Sequence, residues 1–201
     1  MSHTNPLEEK MRHLIEYACQ SGATGARAIS TDDIVVDSAL AAMCRNPRCE
    51  NYGLSPSCPP HVAGPIELKR QLENYNHAIF FKIDVPSEIL YSSERRELFQ
   101  MLHETAAGIE QTAIGMGFSS AHAYAGGSCK KIFCHEHREC LALSANGKCR
   151  NPRHARPSMS GFGIDTSKLF DISGWSMHWL DQQTDASATQ MANVCGLVLI
   201  C

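Results

Sequence analysis

No stretch of this chain stays apolar for long. The longest apolar run, Val194 to Cys201, has eight residues, against the roughly 20 that a membrane-crossing helix needs. Glu8, Glu9 and Lys10 stand where a secretory leader would carry its apolar core. A soluble, cytoplasmic protein with no membrane partner is therefore expected. Charge of one sign is lacking too. With 18 Lys and Arg against 21 Asp and Glu, the net charge is −3, which leaves no electrostatic footprint for nucleic acid. Neither G-x-G-x-x-G, Walker A nor G-x-S-x-G occurs, so nucleotide binding and serine hydrolysis have no support. His135-Glu136-His137 is not a zincin motif, which sets its two histidines four apart on a helix.

Cysteine, by contrast, is abundant: ten in 201 residues, seven of them in two tight arrays. Disulfides are rare in reducing cytosol and would staple distant elements rather than cluster. The arrays are therefore read as metal ligands. The second holds Cys129, Cys134, Cys140 and Cys149, with four, five and eight residues between them. The first holds Cys44, Cys49 and Cys58, the last followed by Pro59-Pro60. Four thiolates suit zinc or an iron–sulfur centre. Structural zinc prefers paired short knuckles, which neither array has. A [4Fe–4S] cluster is larger, and its ligands can be spread along a wrapping loop, so it is the preferred cofactor, with Zn2+ as the alternative. Three thiols at Cys44, Cys49 and Cys58 leave a fourth position. It could be open to substrate, filled by His61 or a distant cysteine, or shared with the second array. An echo of Cys44-Arg45-Asn46-Pro47-Arg48-Cys49 in Cys149-Arg150-Asn151-Pro152-Arg153-His154 makes His154 a further candidate ligand.

Local charge agrees. Between Ser128 and Pro157 seven Lys and Arg face Glu136 and Glu139, a balance of +5 in a chain of −3. Cations beside a thiolate centre stabilise it, and in a cluster they raise the reduction potential. The same patch could meet an acidic partner.

Pro6 to Gly22 reads as an amphipathic helix, with Cys19 on or beside its apolar stripe as a core thiol. Gly25 to Ser30 reads as a strand, and Asp37 to Met43 as a helical turn or two leading into Cys44. A helix is expected from Pro65 to about Asn76, and a strand from Ala78 to Val85. A long helix capped by Ser92 or Ser93 follows, to about Met116, then a short strand from Phe118 to Tyr124. Ile164 to Trp179 is mixed. Val194 to Cys201 reads as a buried strand, with Cys195 and Cys201 as core thiols. The expectation is an α/β fold over residues 1–201: one layered domain with a small mixed sheet, flanking helices, and cysteine loops at 44–60 and 126–160.

Cys44, Cys49, Tyr52-Gly53 and Cys58-Pro59-Pro60, with the second array and its Cys149-Arg150-x-Pro152-x-x-Ala155-Arg156-Pro157-Ser158-Met159 and Gly163-Ile164-Asp165 continuation, form a distinctive pattern. It resembles the DUF2284 family of predicted metal-binding proteins, from about Asp33 to the C-terminal Gly196–Ile200. The resemblance implies a small iron–sulfur or metal-binding protein. Arg156, Ser158 and Asp165 are then candidates for contacts to the cofactor or to a small anionic ligand. An electron-transfer role with a redox partner protein is the leading expectation. An enzyme with an open iron at the three-cysteine array, and a zinc-stabilised binding module, are the alternatives.

Overall fold

A computed structural model describes residues 5–177 and 190–201. The first helix, α1 (Pro6–Gln20), begins where Asn5 accepts a hydrogen bond from the Leu7 amide and Pro6 fills the first turn. It buries Met11, Leu14 and Ala18. Cys19 corrects an expectation: it is exposed, because one residue past Ala18 lies about 100° round the helix from that stripe.

Strands β1 (Gly25–Ser30), β2 (His77–Pro86), β3 (His122–Ala125) and β4 (Met191–Ile200) form one sheet in the order β1-β2-β4-β3. The layered α/β architecture is as expected, but the sheet is not mixed: each of its three pairings is antiparallel. The cause is that the β1–β2 and β3–β4 excursions return to the sheet end they left, while the β2–β3 excursion crosses to the opposite end but delivers β3 to β4 rather than to β2. Ser30 ends β1 opposite His77, which begins β2, and the Thr31 amide bonds the Asn76 carbonyl at 3.2 Å. The crossover along the sheet, between β2 and β3, gives two parallel strands that β4 keeps from pairing. Among the described residues the one isolated parallel bridge joins Ala125 to Ser158.

Antiparallel sheets often leave one face to water. Here both are covered, which is why Ala78-Ile79-Phe80-Phe81 reads as a continuous apolar run. Ile79, Phe81 and Ile83 pack under α1 and α4 (Arg95–Gly115). Ala78 and Phe80 pack on the other face with Leu68 of α3 (Gly64–Leu72) and with Leu169 and Phe170 of α6 (Thr166–Ile172). Phe170 meets Phe80 edge-on, ring centroids 5.4 Å apart. Cys195 on β4 packs against this second cluster, and burial pushes its thiol up to about 12. Cys201 is exposed, not in the core. Of the mixed stretch Ile164 to Trp179, residues 178 and 179 lie outside the described residues.

Two short helices bring cysteines to the sheet. Asp37 caps α2 (Ser38–Ala42), accepting from the Ala39 amide at 2.8 Å, and the chain then runs into Cys44. The chain beyond β3 passes Gly126-Gly127-Ser128 into α5 (Cys129–Phe133). Gly127 has φ +81°, and a Cβ there would stand 2.8 Å from Phe99. Both cysteine loops therefore gather beyond the C-terminal end of β3.

Candidate metal centre

The three-cysteine loop is folded by its own turns. The Cys49 amide bonds the Cys44 carbonyl at 3.1 Å, Cys58 bonds Ser55 at 3.2 Å, and His61 bonds Cys58 at 3.0 Å. Cys44, Cys49 and Cys58 line a cavity of about 650 Å³ together with Ser158 and Asp165. Cys58 is buried, Cys44 half-buried and Cys49 exposed.

The four cysteines of the second array line another cavity, of about 240 Å³. Cys129 and Cys134 are buried, Cys140 is half-buried and Cys149 exposed. Amide donors point at the sulfurs. The Asn151 amide reaches Cys149 Sγ at 3.4 Å and its Nδ2 reaches Cys134 Sγ at 3.4 Å, while the Asn51 amide reaches Cys49 Sγ at 3.5 Å. Lys130 is buried in this wall, its Nζ donating to the carbonyls of Cys134 (2.8 Å) and His137 (2.6 Å). An ammonium held there by carbonyl dipoles is what a neighbouring negative centre would complement.

A thin partition of serines separates the cavities. Cys129 Sγ donates to Ser57 Oγ at 3.2 Å. Ser55 and Ser128 are fully or almost fully buried, and their hydroxyls have no conventional hydrogen-bond partner. What they do face is sulfur: both favour the ionised form of Cys58, and Ser55 joins Ser57 in doing so for Cys129. Orphaned buried hydroxyls beside thiols fit a thiolate-held centre, because thiolate sulfur is the acceptor they lack. In the thiol state burial pushes Cys44, Cys58 and Cys129 up, and neighbouring cysteines push them further. Cys58 acts on Cys129, so the two arrays are within electrostatic reach of each other. A cation among them would reverse that penalty. Among the described residues no three His, Cys, Asp or Glu side chains converge tightly enough to grip one ion; the thiols line spaces instead.

The other residues singled out from the sequence divide. Ser158 is buried, and its amide bonds the Ser57 carbonyl at 2.9 Å, tying the second loop to the partition. Asp165 caps α6, accepting from the Lys168 amide at 3.2 Å. Arg156 lines neither cavity. Its guanidinium forms a buried ion pair with Glu110 of α4 and donates to the Ala155 carbonyl at 3.0 Å. Glu110 also accepts the Ala123 amide at 2.8 Å. The Arg156 amide donates to His103 Nδ1 at 3.2 Å, so His103 Nε2 carries the proton and donates to the Gly126 carbonyl at 3.1 Å. His154 faces Glu104 at 3.4 Å, and His61 is exposed; neither lines a cysteine cavity.

The cysteines, the Arg156–Met159 run and Gly163-Ile164-Asp165 thus belong to one connected structure, and a family model covers it from residue 27 to residue 200. The chain belongs to the DUF2284 family. DUF2284 is described as a predicted metal-binding protein, and the matched residues include all seven cysteines of the arrays. No curated protein and no solved structure matches the chain. What reading the sequence missed in this DUF2284 chain is the partition itself. Its signal was a serine directly before a cysteine in each array, Ser57-Cys58 and Ser128-Cys129.

Proposed function

We propose that this protein is a cytoplasmic electron-transfer protein with [4Fe–4S] clusters on two cysteine sets. Cys129, Cys134, Cys140 and Cys149 hold one, and Cys44, Cys49 and Cys58 hold the other. The observation that carries the reading is two groups of thiols around separate cavities, divided by buried hydroxyls that have only sulfur to bond. Thiols set around a space suit a multi-atom cluster better than a single tetrahedral ion with Zn–S distances near 2.3 Å. Bound there, a cluster supplies reversible one-electron transfer. The protein's own groups set its potential. Asn51 and Asn151 donate to cysteine sulfur, Ser57 is in hydrogen-bond contact with Cys129, and the Lys130 ammonium favours the more reduced, more negative state. The basic surround of the second array, net +5 between Ser128 and Pro157, suits docking of an acidic redox partner.

Iron and acid-labile sulfide per chain, measured on anaerobically purified protein, test this. Wild type should carry iron and sulfide in equal amounts with broad absorption near 400 nm. Cys58→Ser should lose one cluster's share and Cys149→Ser the other's. A colourless protein holding zinc, or a Cys58→Ser protein with undiminished iron, would overturn the assignment.

A further inference from the structure

The two cavities differ in more than ligand count. The four-thiol cavity, about 240 Å³, is smaller than ordinary small-molecule sites, which run from about 300 to 1,000 Å³. The three-thiol cavity, about 650 Å³, lies within that range. It has room for an inorganic centre and for something beside it. Its polar lining is one-sided: Asp165 supplies a carboxylate, Ser158 and Thr166 supply hydroxyls, and among the described residues no Lys, Arg or His borders it.

We propose that the three-thiol cavity is a binding site for a small, non-anionic ligand bearing an amine and a hydroxyl, with Asp165 selecting for its positive charge. This rests on a metal centre at Cys44, Cys49 and Cys58, and it deepens that reading by giving the site a ligand class. The anionic ligand expected from the sequence meets no cation in the lining that the described residues form. The cation that could have served, Arg156, is turned away into its pair with Glu110. An ammonium group would instead meet Asp165, and a ligand hydroxyl would meet the hydroxyls of Ser158 and Thr166.

A charge-reversed pair of similar size provides the test: 2-aminoethanol and glycolate, titrated anaerobically into cluster-loaded protein. Binding is followed by calorimetry and by the electron paramagnetic resonance of the reduced protein. Aminoethanol should bind and perturb the spectrum, and glycolate should do neither. Asp165→Asn should weaken aminoethanol about tenfold, the factor carried by one charge-assisted hydrogen bond. Asn caps a helix as well as Asp does, so α6 and the iron content should be unchanged. Binding of neither probe, tighter binding of glycolate, or an unchanged affinity in Asp165→Asn overturns the ligand assignment while leaving the clusters standing. Protein with no iron at the three-cysteine set overturns the metal reading itself.

Discussion

Glu110→Gln tests the support behind the site. The Glu110 and Arg156 side chains are only 10% and 7% exposed, so their charges depend on each other rather than on water. Arg156 Nε has no partner of its own, and the other guanidinium bonds go to carbonyl oxygens. Gln keeps an oxygen for the Ala123 amide, so the substitution removes charge with little loss of shape. Breaking a buried pair from one side costs about 3–5 kcal/mol, a large share of the roughly 5–15 kcal/mol that holds a domain folded. Anaerobic urea denaturation followed by circular dichroism should show that loss. Removing both charges, as Glu110→Gln with Arg156→Met, should restore most of it, because no lone charge then stays buried and the Ala123 amide keeps its acceptor. A Glu110→Gln loss under about 1 kcal/mol is what an exposed pair would give. That result, or a double variant no better than the single, would refute the argument.

Two further outcomes follow from the same region. Burial, reinforced by the Arg156 charge, holds the His103 ring down at about 4 although its N–H bonds Gly126, while an unfolded histidine takes its proton near 6.5. The unfolded chain therefore binds more protons between those values. Stability should be full above about pH 6.5 and fall by about 3 kcal/mol as pH drops towards 4; a urea midpoint for His103→Gln that is as acid-sensitive as wild type in this window would count against it. Gly163 has φ +71°, and a Cβ there would lie 2.2 Å from the Asp37 carbonyl oxygen. Gly163→Ala should cost about 2 kcal/mol or more and lower the melting temperature by several degrees, and an unshifted melt would contradict that close approach.

Local chemistry made much of the fold legible. The Gly25–Ser30 strand has the bounds read from the sequence, and Pro6 opens α1 as expected. Where boundaries moved, residues had been claimed by turns. The strand expected from Phe118 begins at His122, because Phe118 closes α4 by bonding Ala113 at 3.0 Å and Ala121 bonds back to Phe118. The helix expected to reach Asn76 stops at Leu72, and Asn74 Nδ2 turns back to the Arg70 and Gln71 carbonyls. Ser92 does not cap α4 itself, which begins at Arg95; it bonds Ile89 and Glu94 in the preceding turn. The sorting of cysteines into three and four was visible in their spacing. The fate of Arg156 was not, because its partner Glu110 lies 46 residues away on a helix whose pattern marks it only as one more acid.

The partition ties these scales together. Ser57 belongs to the first cysteine loop, Ser128 to the turn after β3, and Ser158 to the run after Cys149; the Ser158 amide holds the Ser57 carbonyl while the Ala125 amide holds the Pro157 carbonyl. The segment that closes the four-thiol cavity is thus also the segment that fixes the wall of the three-thiol cavity. Its anchor is the Arg156–Glu110 pair, which reaches across to α4 and so to the main core. Metal at either set of thiols would order a wall that the other set shares, because ligands fixed in the folded state convert binding energy into folding energy. Two centres held there would on this ground form one cooperative unit, built where the β1–β2 and β3–β4 excursions meet.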